Sequence, residues 1–314
     1  MEKGRFAPSP SGRMHLGNIY TALLSWLSIK KKNGAWLLRI EDLDKERCKE
    51  EYSELILDDL KWLGLDWDEG PLKDSHSEQY FHSNRNSIYE KFYSKLVEQN
   101  LVYDCFCRRA DLLALSAPQQ SKPQSLANTM HVYSGKCKNL LPSQKEEFLK
   151  IRKPSKRFCV KESIDFFKDG HYGIYYCNLT EECGDFIIRR ADGSFSYQLA
   201  VVIDDALMGV TEVVRGNDLL FSTFQQRALY TALNFVPPNF FHVPLLLSDD
   251  GRRLSKRDKD IDMSYFRKYT TPQALIGKIM FICGFINKEE PLSLKEALSI
   301  FDFQKLPKEN LYIT

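Results

Sequence analysis

The sequence predicts an α/β protein with a doubly wound parallel sheet and a second unit inserted between its two halves. Near the amino end, strand-like and helix-like segments alternate, and AWLLRIE is a continuous apolar run typical of a buried parallel strand. A second alternation begins at LAVVIDD, after a polar middle region. The chain has 314 residues, which corresponds to about two domains.

The elements of the first half follow from hydrophobic spacing. The helices place apolar residues three and four positions apart, as Ile56, Leu60 and Leu63 do, and the first strand runs into a Pro/Gly loop. The predicted elements are a strand over residues 4–9, a helix over 15–32, a strand over 35–41, and helices over 50–63 and 78–99. This alternation predicts that residues 1–102 form the first half of the sheet.

The middle region has a different pattern. Residues 103–190 carry three clustered cysteines, a polar Ser/Pro/Gln stretch and short strand-like pieces, so we expect an inserted α+β unit there. The second half of the sheet is expected over residues 191–260. Residues 261–314 are predicted to be a short helical segment, with helices over Pro272–Cys283 and Leu294–Ile300.

Composition excludes several classes of protein. Hydrophobic residues make up 43% of the chain and charged residues 27%, which argues against a disordered or fibrous protein. No apolar run approaches the ~20 residues of a membrane span, so no membrane association is expected. Eight cysteines without an amino-terminal signal pattern favour a reducing compartment and a cytoplasmic location. The net charge of +2 neither predicts nor excludes a nucleic-acid partner.

A loop that opens the first helix carries the sequence SPSGRMHLGN. Backbone N–H groups at a helix start point at whatever binds there, which suits a phosphate. Gly12 lets the chain turn, Gly17 leaves room for a flat base, and the ring of His15 could donate to a phosphate. The alternative is an ordinary turn before a helix, which is the commoner role of a single Pro/Gly loop.

A second motif, LLLSDDGRRLSKRD, lies about 240 residues further along the chain. It places Arg252, Arg253, Lys256 and Arg257 in a Gly-containing loop after an apolar strand. Such a cationic loop can stabilise charge on a leaving pyrophosphate. Taken alone, the motif is also compatible with a solvated basic turn.

Together and in this order, the two motifs resemble the paired signatures of class I aminoacyl-tRNA synthetases. They read HLGN at residues 15–18 and RLSKR at residues 253–257. More narrowly, RFAPSPSG, LLRIEDLD, LGLDWDEGP and YQLAVVIDDALMGVTEVVRGND are similar to the glutamyl group of that class, over residues 4–285. Two positions depart from the pattern: Asn18 replaces the second His of the generic signature, and Asn217 stands where many glutamyl enzymes have Asp.

The resemblance implies a Rossmann-type catalytic domain that uses ATP with Mg²⁺. It implies catalytic roles for His15 and Lys256. The positions that it implies for ATP binding are His15, Gly17, Asn18, Ser255 and Lys256.

A glutamate site needs guanidinium groups for the carboxylates and an acid for the ammonium. Arg5 and Arg215 are the predicted carboxylate ligands, Glu41 is the predicted ammonium partner, and Tyr197 is expected to donate a hydrogen bond and wall the pocket. The alternative is that Arg5 and Glu41 are strand-end ions that pair with each other. The resemblance favours the substrate role, and the residues that it implies for L-glutamate binding are Arg5, Phe6, Ala7, Pro8, Ser9, Glu41, Tyr197 and Arg215.

The clustered cysteines predict one structural Zn²⁺ in the inserted unit. Zinc prefers four tetrahedral ligands, and thiolates suit it. Cys105, Cys107 and Cys137 supply three, and the pattern C-x-C…Y-x-x-x-C of glutamyl-type enzymes implies Tyr133 as the fourth. His131 remains the alternative fourth ligand, and metal-free packing of the cysteines is the alternative to the site as a whole.

Only 57 residues follow Arg257, whereas a complete glutamyl-tRNA synthetase has a large helical anticodon-binding region there. This pattern resembles the glutamyl-queuosine tRNA(Asp) synthetase family. Its members activate L-glutamate with ATP and transfer it to the queuosine base in the anticodon loop of tRNA(Asp). We therefore expect L-glutamate and queuosine-containing tRNA(Asp) as partners of a monomeric enzyme. The alternatives are a truncated glutamyl-tRNA synthetase that charges the 3′ end of tRNA(Glu), and a non-catalytic paralogue that binds tRNA.

Overall fold

Four parallel strands form the central sheet of this protein, as its computed structural model shows. The structure describes residues 1–73, 77–108, 132–248, 251 and 262–313. The strands lie in the order β2, β1, β8, β9, where β1 is Lys3–Phe6, β2 is Ala35–Leu38, β8 is Glu212–Gly216 and β9 is Asn239–Val243. Gly4 of β1 pairs with Glu212 of β8, so the two halves predicted from the sequence meet at the middle of one sheet. The predicted parallel α/β fold is confirmed.

Helices cover both faces of this sheet. Helix α1 is Leu16–Lys31 and α2 is Glu50–Leu63, whose apolar stripe is buried as predicted. Gly64 ends α2 in the left-handed region at φ 76°, a conformation that glycine adopts without strain. In the second half, α5 is Tyr197–Leu207 and α6 is Ser222–Ala232.

The predicted helix over residues 78–99 is shorter than expected. Two 3₁₀ turns, Ser77–Tyr80 and His82–Asn84, precede α3, which is Asn86–Glu98. The reason is a competing set of backbone hydrogen bonds. Ile40 N–H donates to Tyr80 O at 2.8 Å, and His82 N–H donates to Ile40 O at 3.0 Å. These backbone groups extend the end of β2 and are not available to a helix.

The region between the two halves is built largely from antiparallel strands. Its described residues, 103–108 and 132–190, include a three-stranded sheet, a separate hairpin and an α-helix. The sheet contains β3 (Val102–Cys105), β4 (Ser155–Phe158) and β7 (Phe186–Arg189), the hairpin contains β5 (Ile164–Asp169) and β6 (Gly173–Asn178), and the helix is α4 (Pro142–Ile151). An α+β composition was expected for this region.

Helices follow the sheet toward the carboxyl end. They are α7 (Met263–Tyr269), α8 (Pro272–Ile282) and α9 (Leu294–Ile300), and a short strand β10 (Leu246–Leu247) pairs in parallel with β11 (Leu311–Tyr312). Buried residues of α8 and α9 share one hydrophobic core with α1 and α2. Among the described residues, none of the helices has the length and apolar character needed to cross a membrane.

Candidate functional site

A cavity of about 290 Å³ opens at the carboxyl ends of β1 and β8. Parallel strands end at the same edge of a sheet, which brings together residues far apart in the chain. All eight residues predicted for glutamate binding line this cavity: Arg5, Phe6, Ala7, Pro8, Ser9, Glu41, Tyr197 and Arg215. Pro8 and Pro10 have no N–H to give to a sheet, so the regular strand ends at Phe6 and the next residues form the cavity wall.

Arg5 is a buried cation whose charge is only partly matched. Its side chain is 5% exposed, and its Nε lies 3.5 Å from Asp205 Oδ1. Its Nε–H makes no hydrogen bond within the described part of the chain. The same Asp205 oxygen lies 2.8 Å from Arg39, so Arg5 shares its counter-ion. Arg5 can therefore donate to an anionic group in the cavity.

Arg215 is buried among neutral partners. Its Nε donates to His242 at 3.0 Å, and its terminal nitrogens donate to Gln226 Oε1 and Thr223 Oγ1, both at 2.8 Å, and to Leu219 O at 3.4 Å. Burial lowers the pKa of Arg215, but a guanidinium stays charged at neutral pH. Residues of the described ranges use four of its five N–H groups, which leaves one for a ligand.

Glu41 supplies the one carboxylate among the described residues that line this cavity. It accepts a hydrogen bond from Arg39 at 3.1 Å, and the ion contact of Arg5 within the described residues is with Asp205, so the structure shows no direct ion pair between Arg5 and Glu41. Burial raises the pKa of Glu41, although Arg39 and Arg5 oppose that shift. Glu41 lines the cavity, and its carboxylate suits an ammonium group.

Beneath the cavity lies a buried ionic network that sequence reasoning did not find. Asp204 accepts from Arg85 Nε at 2.7 Å and from Tyr89 OH at 2.6 Å, and His82 Nε2 lies 3.2 Å away. Burial and nearby Arg39 lower the pKa of His82, so the ring is neutral. Charges inside the apolar runs LLRIED and AVVIDD are the signal that could have revealed this network.

The predicted nucleotide loop lies beside this cavity. His15, Gly17 and Asn18 line a second cavity of about 240 Å³, and Asn18, Thr21 and Gly216 line both. His15 caps α1: its Nδ1 accepts from Gly17 N–H at 3.1 Å, which places the proton of a neutral ring on Nε2. A Cβ on Gly17 would lie 3.0 Å from the His15 ring, so glycine is needed there to keep this ring orientation.

Some predicted positions lie elsewhere. Ser255 and Lys256, with the other residues of the cationic loop, lie outside the described residues, as does His131. Asn217 does not line the 290 Å³ cavity. It donates to Tyr172 OH at 3.0 Å and to Asn310 Oδ1 at 3.1 Å, so it ties the sheet edge to the carboxyl-terminal segment.

The four predicted metal ligands come together in the region between the two halves. The sulfur atoms of Cys105, Cys107 and Cys137 lie within 4.8 Å of one another, and Tyr133 OH lies 3.5 Å from the first two. Zn–S bonds of about 2.3 Å require sulfur atoms about 3.8 Å apart in a tetrahedron. Sulfur and phenol donors at these separations therefore fit a metal ion.

Arg157 lies against this cluster and was not predicted. Its Nε donates to Cys105 Sγ at 3.2 Å, and its guanidinium lies 3.7 Å from the centre of the Tyr133 ring. Burial raises the pKa of the Cys105 thiol, but hydrogen bonds with Tyr133 and Arg157 outweigh it and lower that pKa. Burial raises the pKa of Cys107 to about 11. One cation therefore stabilises a cluster that becomes anionic when it binds metal.

Comparison with known proteins identifies the family. Residues 3–312 match the family of class I tRNA synthetases (E and Q), catalytic domain. The chain belongs to this family and is a ligase, as the resemblance predicted. It is 41% identical to the Glutamyl-Q tRNA(Asp) synthetase of Symbiobacterium thermophilum, over 99% of this chain and 95% of that one.

Ordinary glutamate enzymes are also similar to it. The Glutamate--tRNA ligase of Sulfurihydrogenibium sp. is 39% identical over 98% of this chain and 64% of its own length. The crystal structure of a glutamate tRNA ligase from Elizabethkingia meningosepticum superposes with a TM-score of 0.81 at 27% identity, over 100% of this chain and 67% of that one. The shared catalytic fold is therefore that of the glutamate enzymes.

Proposed function

We propose that this enzyme activates L-glutamate with ATP and transfers it to the queuosine base of tRNA(Asp). The observation that supports glutamate is the cavity itself, in which Arg5 and Arg215 face Glu41. Two carboxylates and one ammonium on the ligand match two guanidinium groups and one carboxylate on the protein. Glutamine, which has a neutral amide, leaves one buried guanidinium without an anion.

Activation requires the α-carboxylate of glutamate to meet the α-phosphate of ATP. A carboxylate oxygen attacks that phosphorus, a C–O–P bond forms, the P–O–P bond breaks, and pyrophosphate leaves with its electron pair. The two adjoining cavities suit this meeting, since Asn18, Thr21 and Gly216 belong to both. His15 Nε2–H and the start of α1 would stabilise the phosphate charge, and Mg²⁺ bound with ATP would neutralise part of it.

Lys256 is proposed to stabilise charge on the leaving pyrophosphate, on the basis of the sequence motif alone. Lys256→Ala should lower glutamate-dependent ATP–pyrophosphate exchange by ~10²-fold, which is the usual effect of removing one preorganised donor. Lys268→Ala, in α7, is the matched control and should leave exchange near the wild-type rate. An unchanged rate in Lys256→Ala would show that this lysine is only a surface cation.

The acceptor is proposed from the relatives. Two proteins named Glutamyl-Q tRNA(Asp) synthetase, from Symbiobacterium thermophilum and Nitratidesulfovibrio vulgaris, match this chain at 41% and 40% identity along 95% of their own length. By this proposal, a hydroxyl of queuosine attacks the activated carbonyl carbon, an ester forms and AMP leaves. Phosphate contacts by basic side chains should make the transfer sensitive to salt.

The proposed acceptor is tested with labelled glutamate. We expect label on queuosine-containing tRNA(Asp), none on tRNA(Asp) without queuosine or on tRNA(Glu), and retention of the label after removal of the tRNA 3′ end. We also expect ATP–pyrophosphate exchange without RNA. Label that leaves with the terminal adenosine would instead identify an enzyme that charges the 3′ end, as the names of the glutamate–tRNA ligase relatives suggest.

The cysteine cluster is proposed to hold one structural Zn²⁺, with Cys105, Cys107, Cys137 and Tyr133 as ligands. The ion would cross-link β3 to the segment that contains Tyr133 and Cys137. It would lie outside the residues that line the glutamate cavity, so its role would be to stabilise the fold locally.

A further inference from the structure

Three buried groups form a line from the β5–β6 hairpin to the glutamate cavity. Asp169 Oδ2 lies 2.6 Å from His242 Nδ1, and His242 Nε2 lies 3.0 Å from Arg215 Nε. The three residues are 1%, 0% and 3% exposed. Asp169 and His242 are not among the residues that line the cavity, so they act through Arg215.

The neighbours of His242 determine which of its ring nitrogens carries the proton. Arg215 Nε–H can only donate, so His242 Nε2 must accept, and the proton of the neutral ring must be on Nδ1, where it is donated to Asp169. Backbone N–H groups of His171, Tyr172 and His242 also donate to Asp169, at 3.0, 2.9 and 3.1 Å, and hold its carboxylate in place. A protonated ring would direct an N–H at another N–H.

The other partner of Arg215 is held in the same way. Gln226 accepts from Arg215 through Oε1 and donates through Nε2 to Gln198 at 2.9 Å, and Gln198 in turn donates to Gln225 at 2.8 Å. Each amide thus has one orientation that satisfies its neighbours. Two series of hydrogen-bonded side chains therefore converge on Arg215. In each series, the residue that contacts Arg215 is a neutral hydrogen-bond acceptor.

Nearby arginines have a different arrangement. Arg39 contacts the carboxylates of Glu41 and Asp205 directly, and Arg85 contacts that of Asp204 directly. Neither lines the cavity. A carboxylate in direct contact occupies the N–H groups of a guanidinium, and a ligand would have to displace it. No carboxylate among the described residues hydrogen-bonds to Arg215 directly; the carboxylate linked to it by hydrogen bonds, that of Asp169, lies on the far side of an imidazole ring.

We propose that Asp169 and His242 are positioning residues that orient Arg215 and leave its charge available to a substrate carboxylate. His242 separates Asp169 from the guanidinium, so Asp169 offsets the buried charge without competing with the ligand. This inference rests on the proposed function, since it assumes that the ligand is glutamate.

The kinetic test uses His242→Phe, which keeps the ring but removes both nitrogens. We expect the KM for glutamate to rise by ~10-fold or more, because a hydrogen bond to a charged group is lost, while the KM for ATP and kcat change much less. His242→Gln retains an acceptor and a donor and should recover part of the loss. Asp165→Asn is the control, since this hairpin carboxylate pairs with Arg227 away from the cavity. An unchanged KM for glutamate in both His242 variants would overturn the proposal.

A spectroscopic test uses the wild-type protein, so it depends neither on the folding of a variant nor on a measurement of activity. Nitrogen-15 NMR of the wild-type protein should show His242 with a protonated Nδ1 and an unprotonated Nε2 near neutral pH. A proton on Nε2 would overturn the proposal, because that nitrogen could not then accept from Arg215. A different outcome would separate this inference from the proposed function. If the NMR signature is as predicted but the wild-type protein shows no glutamate-dependent exchange, the glutamate function is refuted, and the arrangement of Asp169, His242 and Arg215 still stands.

Discussion

The 290 Å³ cavity and the cysteine cluster are both lined by buried polar residues, but their charges are balanced differently. The cavity is assembled from distant parts of the chain, and its buried cations already have nearby carboxylates or neutral acceptors. The cluster brings three thiols and a phenol within 4.8 Å, with Arg157 as the one cation that hydrogen-bonds to it among the described residues. The cavity is therefore organised before its ligand arrives, whereas a cluster of thiolates needs a metal ion to balance its charge.

This difference predicts which property of the protein each site should affect, ligand binding or stability. Removing one partner from a buried ionic site leaves the other uncompensated, so changes in the cavity should affect ligand binding strongly. Binding of a structural metal is coupled to folding, so changes in the cluster should affect stability. Variants of the two sites should therefore have separable effects.

The largest effect is expected for Arg215→Gln. Loss of a buried charged partner costs ~2–5 kcal/mol, so kcat/KM for glutamate in ATP–pyrophosphate exchange should fall by ~10²-fold or more. Metal content should stay at the wild-type level. Arg227→Gln is the control, because Arg227 lies in α6 and pairs with Asp165 away from the cavity. A loss of bound metal in Arg215→Gln would show that the two sites are coupled.

The second-largest effect is expected for Cys107→Ser, a variant that should not retain the bound metal. Elemental analysis should find about one zinc per wild-type chain and almost none in the variant, and thermal unfolding should begin earlier. Exchange with glutamate should be affected much less than in Arg215→Gln. Cys159→Ser, outside the cluster, should keep its metal. Wild-type protein that is free of metal and fully active would reject the metal site.

Arg157→Gln should weaken metal binding without removing a ligand. Residues that hydrogen-bond to metal ligands typically change metal affinity by ~10- to 100-fold, and competition with a chelator measures this change. The control is Arg189→Gln on the neighbouring strand β7, because Arg189 donates a hydrogen bond to Glu90 and not to the cluster. Equal affinities in all three proteins would show that Arg157 stabilises only the sheet.

A further prediction concerns the pH dependence of the free energy of unfolding. Burial and Arg215 lower the pKa of His242 from 6.5 to about 4, against the opposing effect of Asp169; Asp218 is the other charged group nearby. Between these pH values the unfolded chain binds a proton that the folded protein does not. The stability is therefore complete above pH 6.5 and falls by about 3 kcal/mol toward pH 4. Denaturant titrations should show a flatter pH dependence for His242→Gln, and parallel curves would contradict this assignment.

The sequence predicts the parallel sheet, most helices and eight of the residues that line the cavity. The bounds of α2 and α9 agree with the predicted ranges because their apolar spacing is regular, Gly64 ends α2, and Ser293 caps the start of α9. The eight predicted glutamate residues share one cavity because parallel strands end at one edge. These features depend on local pattern and on general rules of topology.

Other features depend on contacts that spacing does not reveal. His242 lies in an apolar strand and 73 residues from Asp169, so nothing local predicts their hydrogen bond. The two 3₁₀ turns before α3 arise from backbone bonds to Ile40, in a segment whose apolar spacing alone predicts a helix. Arg157 reaches the cysteine cluster only because β4 pairs with β3 in a register that places it opposite Tyr103.

The most direct test of the two-guanidinium cavity compares glutamate with glutamine as substrates for ATP–pyrophosphate exchange in the absence of RNA. The two amino acids have nearly the same shape and differ in one charge. If Arg5 and Arg215 both receive carboxylates, glutamate should be activated ~10²-fold or more faster in kcat/KM, because glutamine leaves a buried cation unpaired. Equal rates with the two amino acids would contradict the assignment of the cavity.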